Sequence, residues 1–420
     1  SRPRSERIKA RMGISVSSER AGMVESLRNQ VVARFGVPIE SVRVVRSPYR
    51  VCPLGAHIDH QLGPVTAMAL DQAVWLAFAP ATSREVRLES LDCPGQVRFS
   101  IDAVPPRQAD DWGNFARGAV LALKRRQRLD RGLVGLASGK LHGGGVSSSA
   151  AFGVALLLAL EAVNGLDFTP TENIELDRQI ENDYLGLRNG ILDQAAILLS
   201  RRGHLTWIDC RTSEHRTISA PPVMPGFRIL LAFSGLSQAL TGTDYNRRVD
   251  ECAEAARTLL AAVGRAGEVP VLGNLTADEY EAHKHRLSGA PARRAAHVFG
   301  EMDRVRRGTA AWEVGDLGTF GALMTASGVS SISNYECGSP PLIELYQILT
   351  GTTGVYGARF SGAGFRGCCV ALVDPGSTDT VVEQVRAEYG CRQPELAPRA
   401  PVVVCESSDG AAILDGEVAS

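Results

Sequence analysis

The apolar positions of this chain alternate between helical spacing and strand-like spacing. Residues 23–35 carry apolar side chains three or four positions apart, and residues 42–45 then alternate as a strand. The same criteria predict strands near 74–78, 86–88, 133–136 and 205–209, and helices near 112–123 and 171–199, the latter interrupted near 186–190. Because strands and helices interleave without a repeat period, we expect α/β or α+β architecture.

A change in composition near residue 220 predicts a domain boundary. Proline and glycine cluster at 220–226, and residues 228–233 then form an apolar run typical of a buried strand. Helices are expected near 247–264, 291–308, 314–326 and 379–389, and a strand at 402–404. With 420 residues the chain is long for a single core. We therefore expect one domain over 23–219 and a second over 220–420.

The first 22 residues differ from the rest. They hold five Arg and one Lys against two Glu, with several serines and no apolar periodicity. We interpret residues 1–22 as a disordered tail, with an organelle transit segment as the alternative.

Bulk composition excludes several classes of partner. The formal net charge is −1, which gives no electrostatic reason to expect nucleic acid or an acidic membrane. No stretch reaches the roughly 18 apolar residues of a membrane span. The nine cysteines lack C-x-x-C spacing, so we expect them reduced and the protein cytoplasmic.

A glycine- and serine-rich loop precedes an entirely apolar segment. Residues 143–150 read GGGVSSSA, and residues 151–160 are apolar on every side, as at the start of a buried helix. A helix N-terminus presents unpaired N–H groups, and glycines let an anion approach the backbone. The pattern predicts a phosphate site, although its spacing is not that of a Walker A loop. A plain helix cap after a flexible loop is the alternative.

Two further segments concentrate polar residues. Residues 47–60, SPYRVCPLGAHIDH, place Arg50 near His57, Asp59 and His60. A metal site is conceivable, but a loop that binds sugar hydroxyls fits better. Asp193 lies among apolar neighbours, where it is either a helix cap or a catalytic carboxylate.

In this order the segments resemble the GHMP kinases. Residues 47–63 are similar to the galactokinase signature, 143–150 to the family's phosphate loop and 357–369 to its C-terminal glycine motif. Residues 112–118 also look galactokinase-like, and CPLGAHIDH and LRNGILDQ resemble plant-type galacturonokinases. The resemblance implies an α+β protein with two domains. The N-terminal α/β domain would contain a left-handed β-α-β crossover, the C-terminal domain would be ferredoxin-like, and the active site would lie between them.

The resemblance also implies roles for individual residues. Arg50 and Asp193 would be catalytic, with Asp193 facing the anomeric hydroxyl. Ser149 and Glu181 would hold Mg²⁺, whose preferred ligands are oxygens. The other implied positions are Gly143, Gly144, Gly145, Ser147, Ser148 and Ser149 for the ATP phosphates, Trp112 and Phe115 for adenine, and His57, Asp59, Gly190 and Tyr245 for the sugar. Core packing is the alternative role for the two aromatic residues.

Ala56 departs from the galactokinase pattern, which has Glu at this position. A substrate with a C6 carboxylate would be repelled by that Glu, and Ala removes the repulsion. Candidates to meet the carboxylate are Arg188, Tyr49 and His60, and Arg188 has the best chemical match. We therefore expect ATP-dependent phosphorylation of the C1 hydroxyl of D-galacturonate by a monomer or weak oligomer. The alternatives are a galactokinase, a kinase for arabinose or glucuronate, and a non-catalytic sensor.

Overall fold

The computed structural model describes residues 21–139, 144–236 and 243–414. Of the expected tail, residues 1–20 lie outside this part, and residues 21 and 22 begin the first helix, α1, over 21–35. None of the helices in the described ranges combines the length and apolar character needed to cross a bilayer.

The N-terminal domain is built on a mixed sheet. Its strands are β1 (Arg43–Val51), β2 (Pro64–Pro80), β3 (Glu85–Ser90), β4 (Gln96–Ser100), β5 (Leu133–Ser138), β6 (His204–Asp209) and β7 (His215–Ser219). Within it, β1-β2-β5-β3-β4 are neighbours, and β6 joins β2 on one side and β7 on the other. Strand β5 runs parallel to β3, whereas its pairing with β2 is antiparallel. The left-handed crossover stays an expectation.

The helices of this domain cover the sheet and carry the site. They are α2 (Asn114–Lys124), α3 (Ser148–Asn164), α4 (Pro170–Gln179), which continues as a π-helical turn (Ile180–Tyr184), and α5 (Leu192–Leu199). Helix α3 is buried along most of its length because its residues are apolar on every side. The predicted interruption between α4 and α5 is present at 185–191.

The C-terminal domain has a ferredoxin-like sheet. Its strands are β8 (Arg228–Phe233), β9 (Val355–Phe360), β10 (Cys368–Val373) and β11 (Val402–Cys405). They pair antiparallel in the order β11-β8-β10-β9, which is the ferredoxin-like order, so the expected α+β class is confirmed. Its helices are α6 (Thr243–Ala262), α7 (Ala277–His283), α8 (Gly289–Val314), α9 (Leu317–Ser333), α10 (Pro340–Gly351) and α11 (Thr378–Arg392).

The end of the chain corrects the expected boundary. Two short strands, β12 (Ser407–Ser408) and β13 (Ala412–Leu414), pair with β2 and β1 of the first sheet. The segment therefore belongs to the N-terminal sheet and not to a continuous unit over 220–420. Such short strands carry too few apolar positions for the sequence to indicate which sheet they join.

Candidate active site

The glycine- and serine-rich loop leads directly into α3, as the apolar pattern predicts. Gly144 and Gly145 have φ of 94° and 95°, and Ser147, at the helix cap, has φ of 55°. The Ser147 side chain makes no capping hydrogen bond, so the plain cap interpretation does not account for it. Gly143, the first expected phosphate-binding residue, lies outside the described residues. The loop therefore presents helix N–H groups and serine hydroxyls toward a cavity.

Arg50, which is buried, and Asp193, which is partly exposed, form an ion pair at the centre of the site. The register of β1 shifts between Pro48 and Arg50, and the Arg50 N–H donates to the carbonyl of Val146, which ties the strand to the phosphate loop. Arg50 Nε and Nη2 lie 2.8 and 2.6 Å from Asp193 Oδ1. Arg50 Nη1 is buried and has no hydrogen-bond partner in the described part of the chain. The Arg50 guanidinium can therefore donate from Nη1 to a second anion while it keeps its ion pair with Asp193.

Asp193 is not a helix cap. It lies in the first turn of α5, whose cap residue is Ile191. The cap interpretation of the sequence is therefore wrong, since the carboxylate is directed at Arg50 instead.

Two buried carboxylates, Asp59 and Glu181, lie near this pair. Burial, followed by the charge of Asp193, raises the pKa of Asp59 to about 6. The same two causes raise the pKa of Glu181. Gly190 is required beside Asp59, because a Cβ there would lie 2.7 Å from Asp59 Oδ2. These negatively charged groups are only partly neutralised by nearby positive charge. Such an arrangement is typical of a site that binds cations or ligands that donate hydrogen bonds.

Glu181 and Ser149 fit the expected role of magnesium ligands. Glu181 lies in the π-helical turn, where Asn189 Nδ2 donates to Oε2 at 2.5 Å and the Ser149 side chain also bonds the carboxylate. Among the residues described, no cluster of three or more His, Cys, Asp or Glu could hold a metal. A donor set of one carboxylate and one hydroxyl suits Mg²⁺, which keeps waters and phosphate oxygens as its other ligands.

The His57 side chain is held flat against an aromatic ring. His57 has φ of 59° and stacks on Tyr335 with ring centroids 4.3 Å apart. Burial, aided by the nearby His297, holds the pKa of His57 well below its usual range, so the imidazole is neutral at pH 7. A neutral imidazole can donate and accept with sugar hydroxyls. Tyr335 lies far along the chain, and sequence reasoning missed it.

A central cavity of about 390 Å³ brings most of the expected residues together. Its lining includes Arg50, His57, Asp59, Gly144, Gly145, Ser147, Ser148, Ser149, Glu181, Asp193 and Tyr245. Leu187, Asn189, Asn246 and Arg366 also line it and were missed. Asn189 is the one of these with a clear signal in the sequence, since it stands beside Gly190 within the LRNGILDQ segment.

The lining of this cavity does not include five of the expected sugar-side residues, which are Gly190, Ala56, Arg188, Tyr49 and His60. Ala56 is 3% exposed, and its backbone N–H donates to Glu301 while its carbonyl contacts His297 Nε2. Arg188 is half exposed and pairs with Asp250 at 2.7 Å.

Tyr49 and His60 are buried. A Cβ on Gly139 would lie 3.0 Å from the Tyr49 hydroxyl, so this side chain is directed away from the sugar motif. His60 lies beside Tyr245, with ring centroids 5.8 Å apart, and burial lowers its pKa to about 3.

A second cavity of about 160 Å³ adjoins the phosphate loop. Trp112 and Phe115 line it together with Ser148 and Ser149, as expected for an adenine site next to phosphates. Phe152 completes the aromatic wall, 6.1 Å from Trp112 and 5.9 Å from Phe115 between ring centroids. Phe152 was missed because it lies in a helix that is apolar on every side. Flat aromatic surfaces around a polar opening suit a purine ring.

Comparisons with known families match three parts of the chain. Residues 32–80 match the galactokinase galactose-binding signature, residues 114–201 the N-terminal domain of GHMP kinases, and residues 309–391 their C-terminal domain.

Curated relatives and a solved structure span nearly the whole chain. Galacturonokinase of Arabidopsis thaliana is 50% identical over 415 residues, covering 93% of this chain and 98% of the relative. Galactokinase of Roseiflexus is 34% identical over 368 residues, covering 87% and 92%. The crystal structure of Lactococcus lactis galactokinase complexed with galactose superimposes with a TM-score of 0.86 at 26% identity, covering 93% and 99%. With its phosphate loop, its ion pair and these relatives, this chain belongs to the GHMP kinases.

Proposed function

We propose that this protein is a sugar 1-kinase that transfers the γ-phosphoryl group of ATP to the C1 hydroxyl of D-galacturonate. The observation that carries the proposal is the 50% identity to Galacturonokinase along nearly the full length of both chains, against 34% to Galactokinase. The site chemistry supports it, because the glycine- and serine-rich loop, the Asp193 carboxylate and the Arg50 guanidinium line one cavity.

In this proposal Asp193 orients the C1 hydroxyl and accepts its proton. Arg50 holds Asp193 in an ion pair and uses Nη1, buried and without a partner among the described residues, to neutralise charge on the phosphoryl group. Ser149 and Glu181 hold Mg²⁺, which when bound offsets the negative charge of the phosphates. Trp112, Phe115 and Phe152 bind adenine. His57, Asp59, Gly190 and Tyr245 bind the sugar.

Specificity for the sugar acid follows from residue 56. Glu at this position would add a carboxylate close to Glu301, which already accepts the Ala56 N–H, and would repel a C6 carboxylate. Arg188 is the candidate to bind that carboxylate, because its exposed ion pair with Asp250 costs at most about 1 kcal/mol to break. Tyr49 is the least suited of the three candidates, since its hydroxyl lies near Gly139.

The test is ATP turnover with galacturonate and with galactose, with product position assigned by phosphorus NMR. We expect the unaltered protein to prefer galacturonate strongly and Ala56→Glu to shift this preference toward galactose. Arg188→Ala should raise the KM for galacturonate and leave the KM for galactose unchanged. Equal use of both sugars by the unaltered protein would refute the substrate assignment.

Galactokinase activity is the second candidate, favoured by the galactose-bound structure that this chain superimposes on. A non-catalytic sensor is less favoured, because the Arg50–Asp193 pair and the serines of the loop are all present.

A further inference from the structure

Arg366 lies in the loop between β9 and β10 of the C-terminal domain and lines the central cavity with Arg50 and the serines of the phosphate loop. We propose that Arg366 binds the γ-phosphate of ATP from the side opposite α3 and stabilises its charge during transfer. This inference rests on the proposed kinase function.

The loop that carries Arg366 packs directly on the phosphate loop. Ser361 Oγ donates to the carbonyl of Gly145 at 2.6 Å. A Cβ on Gly362 would lie 2.8 Å from the Gly145 Cα, and a Cβ on Gly367 would lie 2.6 Å from the Gly144 carbonyl oxygen. Only glycine permits these close approaches, so the backbones of the two loops pack directly against each other. This packing holds the backbone of Arg366 next to the N-terminus of α3.

The guanidinium of Arg366 lies on the phosphate side of the cavity. Its Nε would be 3.9 Å from a Cβ placed on Gly144. The side chain is half-buried, and this burial lowers the pKa of Arg366 because it removes water from around the guanidinium. An anion beside the guanidinium would replace the stabilisation that the lost water provided. A helix N-terminus on one side and a guanidinium on the other form a two-sided anion site.

The cavity carries more negative than positive side chains, so binding a triphosphate there requires a cation besides Arg50. Asp59, Glu181 and Asp193 all line it, and Arg50 directs two of its nitrogens at Asp193. His57 is neutral at pH 7, since its pKa is held well below the usual range by burial and by His297. Of the side chains described along the lining, Arg50 and Arg366 are therefore the cations that can face a triphosphate.

The transfer step defines what Arg366 stabilises. The C1 oxygen of the sugar forms a bond to the γ-phosphorus, and the bond from that phosphorus to the bridging oxygen breaks, with its electron pair leaving on ADP. The hydroxyl proton passes to the Asp193 carboxylate. Negative charge spreads over the three equatorial oxygens, and the planar guanidinium can bond two of them.

The experiment compares Arg366→Gln and Arg366→Lys with the unaltered protein. The matched control is Arg306→Ala, which removes an exposed arginine paired with Asp303. Calorimetry without sugar measures ATP and ADP binding in the presence of Mg²⁺, so this readout stands even if galacturonate is not the acceptor. We expect Arg366→Gln to weaken ATP binding roughly tenfold, leave ADP binding within about twofold, and lower kcat roughly a hundredfold or more. Lys should restore part of the loss, and the control should match the unaltered protein.

Three results would overturn the proposal. Equal loss of ATP and ADP binding with a lowered melting temperature indicates a structural role. A raised KM for galacturonate with unchanged ATP binding indicates that Arg366 binds the sugar carboxylate instead. Unchanged kinetics and binding exclude any contact with the transferred group. Failure of the unaltered protein to phosphorylate galacturonate, with the ATP and ADP difference intact, would reject the proposed substrate and not this site.

Discussion

Replacing Asp59 with Asn should stabilise the free protein at neutral pH while weakening sugar binding. Asp59 is 8% exposed, and burial together with the charge of Asp193 raises its pKa from 3.8 to about 6. The folded protein therefore holds this proton more tightly than the unfolded chain. The resulting stability is fully present below pH 4 and is lost as pH rises through 6.

The size of the effect follows from the two pKa values. Each pKa unit corresponds to about 1.4 kcal/mol, so ionised Asp59 costs the folded state about 3 kcal/mol at pH 7.5. Asparagine has nearly the same shape and can still accept from the N–H groups of His60 and Leu192 that bond the carboxylate. The substitution should therefore remove most of this cost.

Thermal unfolding at pH 4 and at pH 7.5 tests the argument. Asp59→Asn should melt several degrees above the unaltered protein at pH 7.5 and at nearly the same temperature at pH 4. The control is Asp303→Asn, which alters an exposed carboxylate and should show no such pH dependence. A melting temperature lowered equally at both pH values would refute a buried charge at Asp59.

Three further substitutions test other parts of the structure. Asp193→Asn should lower kcat by about 10²–10⁴-fold without changing the melting temperature by more than a few degrees, measured by ADP release; retained turnover would contradict its catalytic role. Phe152→Ala should raise the KM for ATP by about tenfold and leave the KM for sugar unchanged, and an unchanged KM for ATP would separate the aromatic cavity from adenine binding. Gly153→Ala should lower the free energy of unfolding by about 1–3 kcal/mol, because its Cβ would lie 2.1 Å from Asp177 Oδ1. Gly267→Ala, with nothing within 4 Å, is the control for thermal unfolding, and equal stability of the two variants would refute the steric argument.

The sequence alone was sufficient for the local elements and for the fold class. Helix α3 was predicted from its unbroken apolar run, and the break between α4 and α5 from the glycines that bound residues 186–190. These signals are local, because side-chain periodicity and glycine punctuation act within a few residues of chain. The resemblance of three ordered motifs then led to the α+β fold of the GHMP kinases.

The tertiary structure decided which side chains meet. Arg50 and Asp193 are 143 positions apart, and their 2.8 Å hydrogen bond exists only because β1 and α5 converge beside the phosphate loop. Tyr335 and Glu301 belong to the C-terminal domain, yet they hold His57 and Ala56 of the N-terminal domain. No local pattern encodes such contacts, since they depend on how the two domains pack.

Short segments were the part that the sequence could not assign. Strands β12 and β13 return to the first sheet although they follow the second in the chain. They pair with β2 and β1, and Ile413 and Leu414 pack against buried apolar residues, so contacts distant in sequence fix their place. Arg366 likewise carries no periodic signal. The sequence by itself predicted a phosphate site at a helix N-terminus; only the packing of one glycine-rich loop on another places a second arginine beside that N-terminus.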